Sequence, residues 1–329
     1  MRASVSVVVT NYNAGRFLAQ GVESVLGQEV EALEILVVDD GSSDDSFSRL
    51  RPYLDRVEWM ALAHGGQAAA INAALARCRG DWVAFLESDD LWLPGKLKTV
   101  LGVLAANPGF AVVQHSMSQV DAGLKPLPTR LSPASRRQTM EDFLQGHCLL
   151  TGLSALIVRR EILEELLPLP EDLLTCVDEY LQPRLLARGP IEHLARPLGL
   201  RRVHGLNFYA GIRRDPQRLQ AYLGLRAVLD RHLEAFLKEK GFALKPDEAR
   251  RRRAQALEFE LLSLRFQGAW GAALGVWRDI LRLIGLRPYV VFKAFVLALA
   301  LAWPAAYFGL SRIYEGRAWL PRLREKFLS

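Results

Sequence analysis

Short, almost wholly apolar runs punctuate the first 160 residues, and most of them end in small or acidic residues. Val5-Ser6-Val7-Val8-Val9, Glu34-Ile35-Leu36-Val37-Val38 and Trp82-Val83-Ala84-Phe85-Leu86 are the clearest. A run with so little polar interruption suits a strand covered on both faces, the habit of parallel sheets inside α/β domains. Gly65-Gly66 reads as a turn ahead of a helix from Ala68 to Arg77, and Gly152-Leu153-Ser154-Ala155 leads into a further strand, Leu156 to Arg160. Beyond about Val203 strand signals cease. Apolar residues at three and four spacing predict helices over Pro216 to Glu239 and Asp247 to Phe266, and Gly268 separates the second from Trp270 to Ile284. The pattern is that of an α/β domain followed by an α-helical C-terminal extension.

The strand ends carry the candidate chemistry. In an open α/β sheet, ligands bind beyond the carboxyl ends of the strands. The first three strands there present Thr10-Asn11-Tyr12-Asn13, Asp39-Asp40-Gly41-Ser42 and Glu87-Ser88-Asp89-Asp90. Carboxylates at alternate positions point the same way, so Glu87 and Asp89 are placed to share one hard cation. An acidic surface turn is the plain alternative for Asp39-Asp40, and capping of a helix starting near Pro94 is the alternative for Asp90. A later segment, Thr175 to Gly189, reads as a helix with Leu181, Leu185 and Leu186 on its apolar face. Asp178 and Glu179 lie in its first turn, where backbone N–H groups favour a carboxylate.

Four blocks in order, Val7 to Asn13, Val37 to Ser42, Gly66 to Leu75 and Asp81 to Asp90, resemble the family 2 glycosyltransferases, and the match extends from about Ser4 to Asn207. The resemblance implies a GT-A fold, the nucleotide-diphospho-sugar transferase fold, with a mostly parallel central sheet. It places Thr10, Tyr12, Asp39, Asn72, Glu87 and Asp90 at the nucleotide-sugar donor and Asp89 at a divalent cation, Mg or Mn. His204, in Arg202-Val203-His204-Gly205-Leu206-Asn207, is the second metal candidate. The family's Asp-x-Asp element falls on Glu87-Ser88-Asp89, one methylene longer at its first position. The family's catalytic base falls on Asp178, with Val177 in place of the usual preceding Glu and Glu179 as the rival. The implied activity is an inverting, metal-dependent transfer of a sugar to an acceptor hydroxyl of a saccharide or glycolipid. Transfer to a polyprenyl phosphate, or nucleotide-sugar binding without catalysis, are the other readings.

Composition narrows the picture. The chain has 329 residues and is 50% hydrophobic, enough for a full domain core and an extension. Its net charge of +6 conceals a division. Met1 to Leu200 holds 18 basic against 25 acidic residues, and Arg201 to Ser329 holds 24 against 11. There is no P-loop and no dinucleotide fingerprint. Cys78, Cys148 and Cys176 have no zinc spacing, and three unpaired cysteines fit a reducing compartment. No nucleic-acid motif accompanies Arg250 to Arg253, which reads as a solvated helix face.

Ala294 to Ser311 carries no charge, and as a helix it would fall just short of a bilayer core of about 30 Å. Basic residues flank it on both sides. This favours a kinked or re-entrant segment on the cytoplasmic side of the cell membrane, followed by an amphipathic stretch at Trp319, Leu320, Leu323 and Phe327 lying on anionic lipid. A spanning helix and a buried core helix are the alternatives. Met1-Arg2-Ala3-Ser4 leads directly into the first strand, so no cleavable signal is expected. The expected divisions are 1–210, a catalytic domain; 211–286, a helical extension; and 287–329, a membrane-associating tail.

Overall fold

A computed structural model describes residues 3–129, 131–209, 212 and 215–284. Among these, nine strands form one sheet: β1 (Val5–Asn11), β2 (Glu34–Asp39), β3 (Glu58–Ala61), β4 (Trp82–Glu87), β5 (Leu91–Trp92), β6 (Val112–Asp121), β7 (Arg136–Gln138), β8 (Leu156–Arg159) and β9 (Ile191–Val203). The order is β3-β2-β1-β4-β8-β6-β9-β5, with β7 also paired to β9. The first four strands run parallel. From β8 onward the sheet is mixed: β8 is antiparallel to both β4 and β6, while β6 and β9 are parallel. The parallel half is the part with uninterrupted apolar runs, because helices cover both of its faces.

Val7 and Val9 of β1, Val37 of β2 and Leu86 of β4 join Leu18 and Val22 of the helix Gly15–Leu26 in one buried cluster. Each such side chain contributes on the order of 1.5–3 kcal/mol by leaving water. Register then places the chemistry. Asn11 lies opposite Asp39, and Thr10 lies opposite Glu87, so three carboxyl ends stand side by side.

The chain divides into two compact units. One comprises Met1–Ala210 with Gly224–Ala243, and the other Gly211–Leu223 with Leu244–Ser329. In the first, Arg184 of the helix Val177–Leu186 donates to the His232 carbonyl at 2.9 Å and stacks over Phe236, both from the helix Pro216–Lys240. In the second, helices Pro246–Phe266 and Trp270–Ile284 turn at Gly268, whose φ is +71°, and enclose Leu257, Leu261, Ala273 and Ile280. The arginine run is partly neutralised within its own helix: Arg251 and Arg252 pair with the buried Glu248 at 2.6 and 2.7 Å. Among the described residues no strand follows Val203, and no helix is long and apolar enough to cross a membrane. Ala294 to Ser311 and the amphipathic stretch after it lie outside the described residues.

Candidate active site

At the ends of β1 and β2 the polar side chains are bound to one another. Asp39 is buried; its Oδ1 accepts from Asn11 Nδ2 at 2.7 Å and Ser42 Oγ at 2.5 Å, and its Oδ2 from the Ser42 N–H at 3.0 Å. Asp40 is also buried and accepts from the N–H groups of Gly65 and Gly66 at 2.8 and 2.9 Å. Gly41 permits this closeness: its φ is +72°, and a Cβ there would stand 2.7 Å from the His64 nitrogen. His64 Nδ1 meets Asp40 Oδ2 at 2.8 Å, and its ring stacks on the exposed Tyr12 with centroids 4.3 Å apart. This gives an open aromatic face beside a ring of polar groups. Thr10, also on β1, accepts the Ser88 N–H from beyond the end of β4 through its carbonyl at 3.0 Å.

A cleft of about 530 Å³ opens beside it, lined by Glu87, Asp89, Asp90, Asp178 and Arg201 among others. Asp89 Oδ2 meets His204 Nε2 at 3.0 Å and accepts from Asn207 Nδ2 at 3.1 Å. The Leu206 N–H donates to His204 Nδ1 at 3.2 Å, which leaves Nε2 as the nitrogen carrying the proton toward Asp89. Asp90 Oδ1 accepts the Arg202 N–H at 2.9 Å, and the helix Lys96–Ala106 starts at Gly95 without a side-chain cap. Burial, then the charges of Asp90, Asp89 and Asp178, hold the Glu87 carboxyl well above the usual carboxylate range. Burial and Asp89 likewise push Asp90 up. Crowded carboxylates in low dielectric resist ionising together.

Two basic side chains stand behind this acidic wall, the half-buried Arg201 and the buried Lys96; burial holds the Lys96 amine well below its usual range. Arg201 is held charged by Glu87, Asp90, Asp178 and Asp89, against the cost of its burial. Lys96 is fully buried, donates to the Ser154 carbonyl at 2.7 Å and sits 3.7 Å from the centre of the Trp92 ring. Ser154 in turn accepts the Glu87 N–H at 3.0 Å.

Asp178 enters the cleft from the first turn of the helix Val177–Leu186. Burial and its neighbour Glu179 raise its carboxyl to about 6, although Arg201 and the backbone N–H groups of its own helix end favour the charged form. Glu179 is otherwise engaged: it accepts from Tyr209 Oη at 2.9 Å and pairs with Arg226. Both acids line the cleft, and Glu179 has its two carboxylate oxygens bound, one by Tyr209 and the other by Arg226.

The segment before this helix rests on the block Gly66 to Leu75. Gly66, at φ +89°, lets the backbones touch, since a Cβ would lie 2.6 Å from Leu174 Cα. Gln67 and Ala68 donate their N–H groups to the carbonyls of Leu174 and Leu173 at 2.9 and 3.2 Å. The Gln67 side chain accepts the Val177 N–H at 3.1 Å and donates to Glu87 Oε1 at 3.2 Å, joining the helix that carries Asp178 to the end of β4. Asn72 does not reach the cleft. Its amide closes both hydrogen bonds on the Leu169 backbone, at 2.9 and 2.8 Å, so it braces the same segment.

The residues fit a divalent cation of one kind. Among the described residues no three His, Cys, Asp or Glu groups close on a common point. Asp89 offers one carboxylate oxygen at the cleft; His204, expected as a second ligand, does not line it, and both its ring nitrogens are engaged, Nδ1 by the Leu206 N–H and Nε2 by Asp89. A cation that keeps waters and takes phosphate oxygens needs only one or two such protein ligands, as Mg²⁺ does in many phosphate sites.

Sequence reasoning missed His64, Gln67, Arg201 and Arg226. Gln67 lies inside the block Gly66 to Leu75, and Arg201 precedes the block Arg202 to Asn207; His64 stands just before Gly65-Gly66 with no motif of its own. Nothing in the sequence pointed to Arg226.

With this geometry in place, residues 6–167 match the sequence model of Glycosyl transferase family 2. An uncharacterised glycosyltransferase of Nostoc sp. is 29% identical over 260 residues, 75% of this chain and 79% of that protein. The Escherichia coli UDP-Glc:alpha-D-GlcNAc-diphosphoundecaprenol beta-1,3-glucosyltransferase WfgD is 34% identical over 105 residues, 31% of this chain and 42% of its own. The structure of Staphylococcus aureus TarS 1–349 in complex with UDP superposes with a TM-score of 0.53 at 20% identity, covering 95% of this chain and 92% of that one. The fold is GT-A, and the site lies at the carboxyl edge of its parallel half. The chain belongs to the family 2 glycosyltransferases and is a nucleotide-sugar-dependent glycosyltransferase.

Proposed function

We propose that the chain is an inverting, metal-dependent glycosyltransferase that moves a sugar, of the hexosyl class, from a nucleoside diphosphate to an acceptor hydroxyl of a saccharide or glycolipid. The observation that carries this reading is Asp178, a carboxylate raised to about 6, facing the same cleft as Glu87, Asp89 and Asp90. A group with that value is ionised at neutral pH yet basic enough to take a proton from an attacking hydroxyl. Asp178 therefore acts as the base. An acceptor phosphate would already be ionised, would need no base, and would meet four carboxylates.

On the donor side, Tyr12, Thr10, Asp39 and the His64–Asp40 pair hold the nucleoside. Glu87 and Asp90 face the ribose and the transferred sugar, and Arg201 balances charge between them and Asp178. Asp89 would hold the cation, with His204 and Asn207 orienting its carboxylate, and the cation when bound would offset the charge developing on the diphosphate leaving group. The support for a lipid-linked acceptor is the activity named for the Escherichia coli relative, and UDP and UDP-GlcNAc are bound in structures of TarS. The setting we assign is surface polysaccharide or glycolipid assembly on the cytoplasmic side of the membrane.

The test is a panel of nucleotide sugars with Mg²⁺ or Mn²⁺, read as a rise in melting temperature and as release of nucleoside diphosphate. One donor should protect and turn over only with the cation, and Asp89→Ala should lose the cation-dependent part of both. Equal cation and donor affinity in Asp89→Ala would remove Asp89 from the metal.

A further inference from the structure

We propose that the Glu179–Arg226 ion pair is a positioning device for Asp178, by which a helix from the far side of the sequence holds the base and screens it from its neighbouring acid. The proposal rests on the reading of Asp178 as the base. Glu179 and Asp178 are adjacent in one helical turn, so Glu179 cannot be removed from the electrostatic surroundings of the base. Its charge can only be compensated. Arg226 does so from the helix Pro216–Lys240, with both side chains about a quarter exposed, at 23% for Arg226 and 26% for Glu179.

The pair is part of a longer chain of contacts. Arg226 also meets Asp230 Oδ1 at 3.0 Å, one turn further along its helix. Tyr209 donates to Glu179 Oε1 at 2.9 Å, and its hydroxyl lies 3.0 Å from Cys176 Sγ. Cys176 has φ +58°, a left-handed conformation that a non-glycine residue keeps only when its surroundings hold it. Two acceptor oxygens of Glu179 are thus bound from two directions, and the turn bearing Asp178 is fixed between them.

The charged and titratable groups facing Asp178 come from four elements. Glu179 lies on its own helix, Glu87 at the end of β4, Arg201 on β9 and Cys176 in the segment before the helix. Of these, Glu179 is the acid whose charge raises the Asp178 carboxyl most. Arg226 pairs with that acid while standing outside the set that faces Asp178 directly. Loss of Arg226 then has a signed consequence. An uncompensated Glu179 makes Asp178 harder to ionise, and the acid limb of activity moves to higher pH. Neutralising Glu179 does the reverse.

The experiment measures kcat against pH at saturating donor for wild type, Arg226→Met, Arg226→Lys and Glu179→Gln in the full-length chain, with donor affinity measured separately. Arg226→Met should move the acid limb up by about 0.5–1 pH unit and lower kcat by roughly 10-fold, within the reach of a small misplacement of a catalytic group. Arg226→Lys should recover most of both. Glu179→Gln should move the limb down. Donor affinity should be unchanged throughout. Limbs that coincide with wild type in Arg226→Met and Glu179→Gln would overturn the proposal, as would shifts of the same sign. If Asp178→Asn keeps its turnover, the reading of the base itself fails. If Asp178→Asn is inactive while the other limbs are unmoved, only this inference fails. Should Arg226→Met not fold, the downward shift in Glu179→Gln and recovery in Arg226→Lys decide it.

Discussion

Asp178 is held where its charge is costly, and that cost has a predictable sign. Its carboxyl ordinarily titrates near 3.8 and here near 6, raised by burial and by Glu179. Below the lower value both folded and unfolded chains carry a neutral group. As pH rises through the folded value, the folded state acquires a charge it disfavours, so the stability present at low pH is lost. Asp178→Asn should therefore stabilise the protein at pH 8, by on the order of 1–3 kcal/mol, with little difference near pH 3.5. Urea midpoints at the two pH values check this, and an equal change at both would show that charge is not the cause. Trading stability for a poised group is common in active sites. Asp39, Asp40, Glu87, Asp89 and Asp90 were legible in the sequence because they stand at the ends of recognisable apolar runs, whereas Asp178, in the first turn of a helix, was reached through the family resemblance. Arg201 was not legible, since a sequence does not show which of two adjacent arginines on β9 turns toward the cleft and which, like Arg202, closes on backbone carbonyls behind it.

At the scale of elements, the β1, β2 and β4 runs predicted the parallel half of the sheet because burial on both faces leaves an unbroken apolar pattern. The mixed half gave weaker signals: β5 has two residues and β7 three, and β9 interrupts its apolar positions with His193, Arg196 and Pro197. The Gly66 to Leu75 block shows another limit. Its motif was plain, but its use was not, because Gln67 meets Val177 across 110 residues of chain and Asn72 meets Leu169 across 97. The block works as a shelf for the segment that carries Asp178. Gly66→Ala should disturb it twice, through the strain of a positive φ and through contact with Leu174. We expect a loss of roughly 1–3 kcal/mol in stability and a larger fall in kcat than in donor affinity. A wild-type urea midpoint in Gly66→Ala would mean that the close approach to Leu174 is not maintained in solution.

At the scale of the molecule, the acidic first 200 residues and the basic remainder suggest a division of labour, with catalysis in one and attachment in the other. We expect truncation after Leu286 to release the protein from membranes while donor binding survives, since the uncharged run and the seven basic residues around and after it would be gone. Membrane flotation of the full-length and shortened chains measures this, and equal flotation of both would place attachment elsewhere. The central claim is narrower, that Asp178 takes the proton from the acceptor hydroxyl. Its most direct test is single-turnover rate at saturating donor for Asp178→Asn beside Glu179→Gln. The account predicts a fall of roughly 10² to 10⁴ for Asp178→Asn with donor affinity little changed, and a far smaller effect for Glu179→Gln. Near-normal turnover in Asp178→Asn, or a comparable collapse in Glu179→Gln alone, would contradict it.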